Sequence, residues 1–260
     1  VSDLVLYEVR ESAAVLTLHR PDRRNALSRA LIAALDDAVS RAAADPAARS
    51  LVLTGAGPVF CAGMDLAELQ ESLSAGAQET PVWDDALRLG RVYDRLYTLG
   101  KPTIAAVNGA AVAGGAGLVS VCDLALSVPQ AKFGYPEVRR GLVAAMVMPH
   151  LMRHVGERTA RYLLLTGELI DAEQARQAGF LNAVVAPDDL LATAGAWARS
   201  LAEGGPAALA LTKDLLGRFS RQALSVEEAA QASAAPRLTD ECRQGLEAFF
   251  AKRPAPWAGA

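Results

Sequence analysis

The spacing of apolar residues changes period several times along the chain, and each change predicts an element. Residues 4–9 and 15–18 are short strand-like runs, and the turn-forming Pro21-Asp22 closes the pair. Leu27, Leu31, Leu35 and Val39 then recur every four residues around Ser28, a good cap, predicting a helix that Asp45-Pro46 stops. Residues 51–54 form a short apolar strand, and Gly55-Ala-Gly57-Pro58 breaks the chain before Phe60-Cys-Ala-Gly-Met-Asp65. A helix is expected from about Asp65, whose carboxylate suits the positive end of the helix dipole. Residues 71–81 are small and polar without clear period, and read as a mobile loop.

Leu89, Val92, Leu96 and Leu99 give a helical stripe ended by Gly100 and Pro102. Residues 103–107 and 124–128 read as fully buried strands. Asp171-x-x-Gln174 opens a helix that Gly179 closes. Beyond about Val185 only helices are expected, over residues 190–201, 206–216, 226–234 and 239–251, with Ser225-x-x-Glu228 as a capping box. Short strands that often come in pairs before a helix predict an α/β fold, a spiral of repeated strand-strand-helix units. The division expected is a core over residues 1–195 carrying the site and a helical region over 196–260.

Composition narrows the class. At 260 residues, 52% hydrophobic and 21% charged, the chain builds a sizeable core, and a net charge of −3 argues against nucleic acid as a partner. Cys61, Cys122 and Cys242 have neither disulfide nor metal-ligand spacing and fit a reducing compartment. Residues 102–122 carry no charge over a length that spans a bilayer, yet five interruptions by Asn108 and by glycines 109, 114, 115 and 117 read as a buried strand, turn and helix. No basic segment followed by an apolar run opens the chain, so a cytoplasmic setting is expected and no membrane association.

Chemistry concentrates in three places. The Phe60-Cys-Ala-Gly-Met-Asp65 turn and the Asn108-Gly109-Ala-Ala-Val-Ala-Gly114-Gly115 turn each lie after a buried strand and before a helix, where backbone N–H groups lack intrahelical partners. Two such amides converging on one oxygen make an oxyanion hole; the competing reading is that the glycines only allow tight packing. Glu137 follows a turn among apolar residues, where desolvation raises a carboxylate pKa toward proton-transfer range. A solvated glutamate, or one paired with Arg139 or Arg140, is its plainer alternative. His19, His150 and His154 are too scattered for a metal site, and no metal or separate cofactor is expected.

The order of these segments resembles the enoyl-CoA hydratase/isomerase (crotonase) family. The likeness covers Arg20-Pro-Asp-Arg-Arg-Asn-Ala-Leu27, Phe60-Cys-Ala-Gly-Met-Asp65, Lys101-Pro-Thr-Ile-Ala-Ala-Val-Asn-Gly109, Ala113-Gly-Gly-Ala-Gly-Leu118, Ala131-Lys-Phe-Gly-Tyr-Pro-Glu137 and Ala248-Phe-Phe-Ala-Lys-Arg-Pro254. The resemblance implies a spiral core with a C-terminal helical trimerisation region, a homotrimer or homohexamer, and an acyl-CoA thioester as substrate. It implies backbone N–H groups of Met64 and Gly114 on the thioester oxygen and Glu137 as catalytic acid/base. It further implies coenzyme A contacts from Arg23, Arg24, Ala26, Ala62, Leu66, Phe249 and Lys252.

One departure matters. Hydratases of this family carry two glutamates on one water; the second matches Glu137, and the first falls on Gly117. The chain also resembles the bacterial methylglutaconyl-CoA hydratase-like branch, over Gly-Leu-Val-Ser-Val-Cys-Asp123, Glu137-Val-Arg-Arg-Gly-Leu142 and Val155-Gly-Glu-Arg-Thr-Ala160, and that branch has glycine there too. The expectation is therefore hydration of a 2-enoyl-CoA, branched or carboxylated. Its alternatives are Δ3,Δ2-enoyl-CoA isomerisation with one glutamate, and non-catalytic acyl-CoA binding. Ser120 is a weak candidate for the missing second group, and residues 71–81 with Trp83 and Leu87 are expected to shape the acyl pocket.

Overall fold

The computed structural model describes residues 3–74, 79–220 and 226–253. The chain opens with a hairpin, β1 (Val5–Arg10) antiparallel to β2 (Ala13–Leu18), with Arg10 opposite Ala13 and Val5 opposite Leu18. Its turn is Glu11-Ser12, both at positive φ (50° and 63°), whose twist matches the strands as a two-residue hairpin loop requires. Pro21-Asp22 instead begins a single 3₁₀ turn, Pro21–Arg23. Helix α1 (Arg29–Ala44) starts where Ser28 Oγ accepts the Leu31 N–H (3.2 Å), and buries Leu31, Leu35 and Val39 at the four-residue spacing.

The strand-strand-helix rhythm then repeats. β3 (Ser50–Gly55) and β4 (Val59–Cys61) lead to α2 (Leu66–Ser74) and α3 (Glu79–Thr98). β5 (Thr103–Val107) and β6 (Ala110–Val112) lead to α4 (Gly114–Ser120). β7 (Leu124–Ser127) and β8 (Lys132–Gly134) lead through a 3₁₀ turn, Pro136–Arg140, to α5 (Met148–Thr166). β9 (Leu169–Asp171), α6 (Ala172–Gln177) and β10 (Ala183–Val184) close the strand-bearing part. The first strand of each pair joins a six-stranded sheet, β1-β2-β3-β5-β7-β10, parallel from β2 onward. The second joins a four-stranded sheet, β4-β6-β8-β9, parallel except for the β8–β9 pair. Helices α7 (Leu190–Ala202), α8 (Pro206–Ser220), α9 (Val226–Ala234) and α10 (Asp240–Phe250) follow. Position 195 lies within α7.

Two expected boundaries shift. Residues 71–74 continue α2 and residues 79–81 begin α3, where Pro81 sits in a first turn that needs no N–H from it; residues 75–78 lie outside the described residues. The β6 strand occupies the middle of what reads as a strand-turn-helix segment. The 171–174 capping box is present in full, Asp171 Oδ1 accepting the Gln174 N–H (2.8 Å) and Gln174 Oε1 the Asp171 N–H (3.0 Å). The Ser225 capping box lies outside the described residues.

Three small parallel strands position the chemistry. β4 and β6 are neighbours, as are β6 and β8, so the segments leaving their C-terminal ends emerge side by side. Those segments carry Met64, Gly114 and Glu137.

Candidate active site

Close backbone contact holds the first two turns together. A Cβ on Gly63 would stand 2.7 Å from Ala113 Cβ and 3.2 Å from Gly114 N, and one on Gly115 would stand 2.2 Å from Cys61 O. Gly63 also takes φ +87°, open to glycine. The packing reading of these glycines is therefore correct, and it is what brings the two amides together. Leu27 N–H donates to Gly63 O (2.8 Å) and Leu27 O accepts from Asp65 N–H (3.1 Å), so this bridge uses the residues on either side of Met64 and leaves its N–H out of the pairing. Gly114 is the first residue of α4, where a backbone N–H has no intrahelical acceptor. Ala113 before it is held at φ 54°, ψ −125°, a strained setting for a residue with a Cβ, of the kind found where structure serves a site.

The Met64 turn is also tied to residues 20–27. Ala62 N–H donates to Arg24 O (3.0 Å), and Arg20 reaches both Ala26 O (2.8 Å) and Asp65 (3.0 Å). Asn25, fully buried at positive φ, donates to Ala56 O (2.9 Å) and Val59 O (2.8 Å) and accepts from Arg20 N–H (2.8 Å). This network places Arg23, Arg24 and Ala26 on the rim of the cavity that Met64 and Gly114 line.

That cavity encloses about 680 Å³, enough for a sizeable small-molecule ligand. Arg23, Arg24, Ala26, Ala62, Met64, Leu66, Gly114, Glu137 and Phe249 all line it. Lys252 does not; it is exposed in the turn after α10. Trp83 and Leu87 do not either, but pack with Ala230 and Ala234 of α9; from α3 the cavity receives Leu89 and Tyr93.

Glu137 sits in the 3₁₀ turn after β8, with its Oε2 buried and without a hydrogen-bond partner among the described residues. Burial raises its carboxyl to about 7, against a smaller opposing pull from its own backbone N–H and from the Arg140 charge. It pairs with neither arginine. Arg139 bonds Thr166 O (3.1 Å) and Glu168 (2.5 Å), and Arg140 lies over the Phe249 ring at 4.6 Å. The other acids lining the cavity are Asp22, beside Arg23 and Arg24, and Asp65, which Arg20 holds.

At Gly117 the space for a side chain is taken. A Cβ there would lie 2.5 Å from Val147 Cγ1 and 2.8 Å from the Tyr93 hydroxyl oxygen. Tyr93 is buried, donates to Gly114 O (2.8 Å), and lies close enough to Glu137 that the carboxylate charge adds to burial in pushing the phenol well up. Ser120 is not the second group: its hydroxyl is buried on Gly117 O (2.8 Å), away from the cavity. His154 Nε2 is likewise engaged by Ser120 O (2.8 Å), and His150 packs edge-on to Tyr97. The three cysteines are free and buried. No described helix is long and apolar enough to cross a membrane.

Tyr93 and Arg237 were not foreseeable as cavity residues. Tyr93 falls beside the apolar stripe of α3 and reads as core, and Arg237 sits in a stretch with no period. The chain matches a family profile, described as enoyl-CoA hydratase/isomerase, over residues 8–260. The chain belongs to the enoyl-CoA hydratase/isomerase family. Within that family it is 44% identical to a Thermus thermophilus protein named among enoyl-CoA hydratases, over 93% of this chain and 95% of the other. It is 34% identical to the 2,3-dehydroadipyl-CoA hydratase of Escherichia coli over the full length of both. The enoyl-CoA hydratase structure from Mycobacterium avium superimposes with a TM-score of 0.84 at 32% identity, covering 99% of this chain and 100% of that one. The chain is thus an enzyme of this family, with the crotonase fold.

Proposed function

We propose that this enzyme adds water across the 2,3 double bond of a branched or carboxylated 2-enoyl-CoA, with Glu137 as its single acid/base group. The observation that carries the reading is a carboxylate with one buried oxygen that no described residue bonds, in the cavity that the Met64 and Gly114 turns line. The Glu137 carboxylate takes a proton from water as the water oxygen bonds to C3. The double-bond electrons pass to the thioester oxygen, and the resulting enolate is held by the Met64 and Gly114 N–H groups, each contributing about 3 kcal/mol in comparable sites. Glu137 then returns that proton to C2, which restores the thioester. A carboxyl near pKa 7 gives and takes a proton with similar ease at neutral pH.

Tyr93 takes the place of the first glutamate as a water holder, not a base. Its proton is committed to Gly114 O, so its oxygen has lone pairs left to accept a hydrogen bond from the attacking water. Its raised pKa keeps it a neutral phenol. Coenzyme A is the carrier half of the substrate: Arg23, Arg24 and the backbone near Ala26 meet its phosphates, Ala62 and Leu66 its adenine and pantetheine, and Phe249 closes over it together with Lys252 of a neighbouring copy in the proposed oligomer. No metal or further cofactor enters. The carboxylated choice of acyl group is supported by the name of the Escherichia coli relative, whose substrate ends in a carboxylate. We also propose a homotrimer or homohexamer built through the C-terminal helices, in the cytoplasm.

A second reading, Δ3,Δ2 isomerisation, is favoured by the lack, among the described residues, of a second unpaired carboxylate beside Glu137, since moving one proton between two carbons needs only one. NMR in D₂O with crotonyl-CoA, 3-methylcrotonyl-CoA and 3-hexenoyl-CoA separates the two. A 3-hydroxyacyl product that falls at least about a hundred-fold in Glu137→Gln supports hydration. Double-bond migration in 3-hexenoyl-CoA without hydration replaces it with the isomerase reading.

A further inference from the structure

Arg237 is the buried charge that the chemistry above does not use. It lies in the 3₁₀ turn Ala235–Leu238 between α9 and α10 and is only 3% exposed, so solubility does not explain it. A buried arginine is costly unless its charge is met and its N–H groups are bonded. Here the bond found among the described residues is a neutral one, from Nη2 to Ser233 Oγ at 3.2 Å. The acid acting on it most, Asp85, is already gripped by Arg29 at 2.6 Å through Nη2 and at 2.8 and 2.9 Å through Nε. Burial depresses the guanidinium to about 10, still fully charged at neutral pH.

Arg237 and Ser233 both line the main cavity, on the wall that α3 and α9 build with Leu89 and Tyr93. The coenzyme-binding candidates Arg23, Arg24 and Ala26 belong to a different wall, tied to the Met64 turn. With the thioester oxygen on Met64 and Gly114 and the nucleotide toward Arg23, the acyl chain runs to the Tyr93–Arg237 side. There it meets apolar residues, one serine hydroxyl and a cation with donors to spare. A guanidinium presents a planar fork of N–H groups that a carboxylate matches with two parallel bonds, which neither a hydrocarbon end nor a hydroxyl can do.

We propose that Arg237 binds a carboxylate at the distal end of the acyl chain, with Ser233 orienting the guanidinium, so that the substrate class is enoyl-CoA thioesters of dicarboxylic acids. The orientation of the acyl chain rests on the thioester placement proposed above; the binding test does not depend on turnover. Titration calorimetry of the full chain compares saturated, unreactive pairs: succinyl-CoA with butyryl-CoA, glutaryl-CoA with pentanoyl-CoA, adipyl-CoA with hexanoyl-CoA. At least one carboxylated member is expected to bind about ten-fold or more tightly than its uncharged partner. Arg237→Gln should erase that preference while changing the affinity for the uncharged partner less than about three-fold, and Arg237→Lys should keep part of it. Equal binding within every pair by the unaltered enzyme overturns the proposal, as does a preference that survives in Arg237→Gln. If that variant does not fold, the unaltered enzyme and Arg237→Lys still decide. A carboxylate preference without turnover of any enoyl-CoA sinks the hydratase reading and keeps the subsite; hydration with no such preference does the reverse.

Discussion

Glu137 trades stability for reactivity, and the trade has a pH signature. Its carboxyl ionises at about 7 in the folded chain because the charged form loses water on burial, against an ordinary value of 4.5 in the unfolded one. Between those two values the folded state holds a proton that the unfolded state has released. Stability contributed by the neutral acid is therefore present in full below about pH 4.5 and is lost as pH rises through about 7, a total of up to about 3 kcal/mol. Replacement by glutamine keeps the shape and removes the titration. Urea denaturation should find Glu137→Gln more stable than the parent at pH 8, by about 1–3 kcal/mol, with the gap closing toward pH 5. An unchanged gap across that range would mean the carboxylate is well solvated, and its role as a base near neutrality would go with it. The same position shows what sequence can and cannot convey. Glu137 was legible from its order after the two glycine turns, whereas the loss of a side chain at Gly117 said nothing about what fills the space. Tyr93 arrives there from a helix twenty-four residues earlier, by tertiary packing that no local pattern encodes.

At the scale of elements, a hydrogen bond from the Tyr93 hydroxyl to Gly114 O joins α3 to α4, at the same turn whose N–H is proposed to hold the thioester oxygen. Tyr93→Phe keeps the ring and removes one hydrogen bond to Gly114 O, which costs about 1 kcal/mol of stability. If the hydroxyl also holds the attacking water, kcat should fall about ten-fold or more while KM for the acyl-CoA stays nearly constant, because the lost contact is made by the water and not by the substrate. Steady-state kinetics on crotonyl-CoA with a parallel urea titration reads both. A loss of stability with unaltered kcat would reduce Tyr93 to packing. Elements themselves differed in how readily they were read. The α1 and α6 starts carried side-chain caps in the expected places, and the buried strands were apolar but for Thr103 and Ser127 at their ends. The first strand pair was legible from its two apolar runs, but its turn was not, because Glu11-Ser12 is not a pair that favours positive φ. Helix α5 was hidden because it interrupts itself: Gly156 inside it has φ 70° and ψ 169°, so its apolar residues share no single period.

At the scale of the molecule, α8 departs from the usual way a helix is held. It contains Leu209, Leu211, Leu215 and Leu216, yet none of its described side chains is buried, and Leu211 and Leu216 are 58% and 66% exposed. Polar bonds tie it down instead: Lys213 to Asp123 (2.7 Å), Tyr97 Oη to Ser220 Oγ (2.8 Å), and Arg153 Nε to Ser220 O (2.9 Å). A helix in water owes most of its stability to burying an apolar face, and this one has no face buried within the chain. Burial against another copy is the arrangement in which the leucines contribute, and it agrees with the homotrimer or homohexamer proposed from the C-terminal helices. Light scattering on the eluting protein should then give about three or six times 27.2 kDa. Leu211→Asp combined with Leu215→Asp should shift it to the single-chain mass, because both positions are already solvent-facing in one chain and the charges cost that fold little. A single-chain mass for the unaltered protein would instead leave α8 an exposed apolar helix held by its polar ties alone. A variant that remains fully assembled would move the contact elsewhere on the surface.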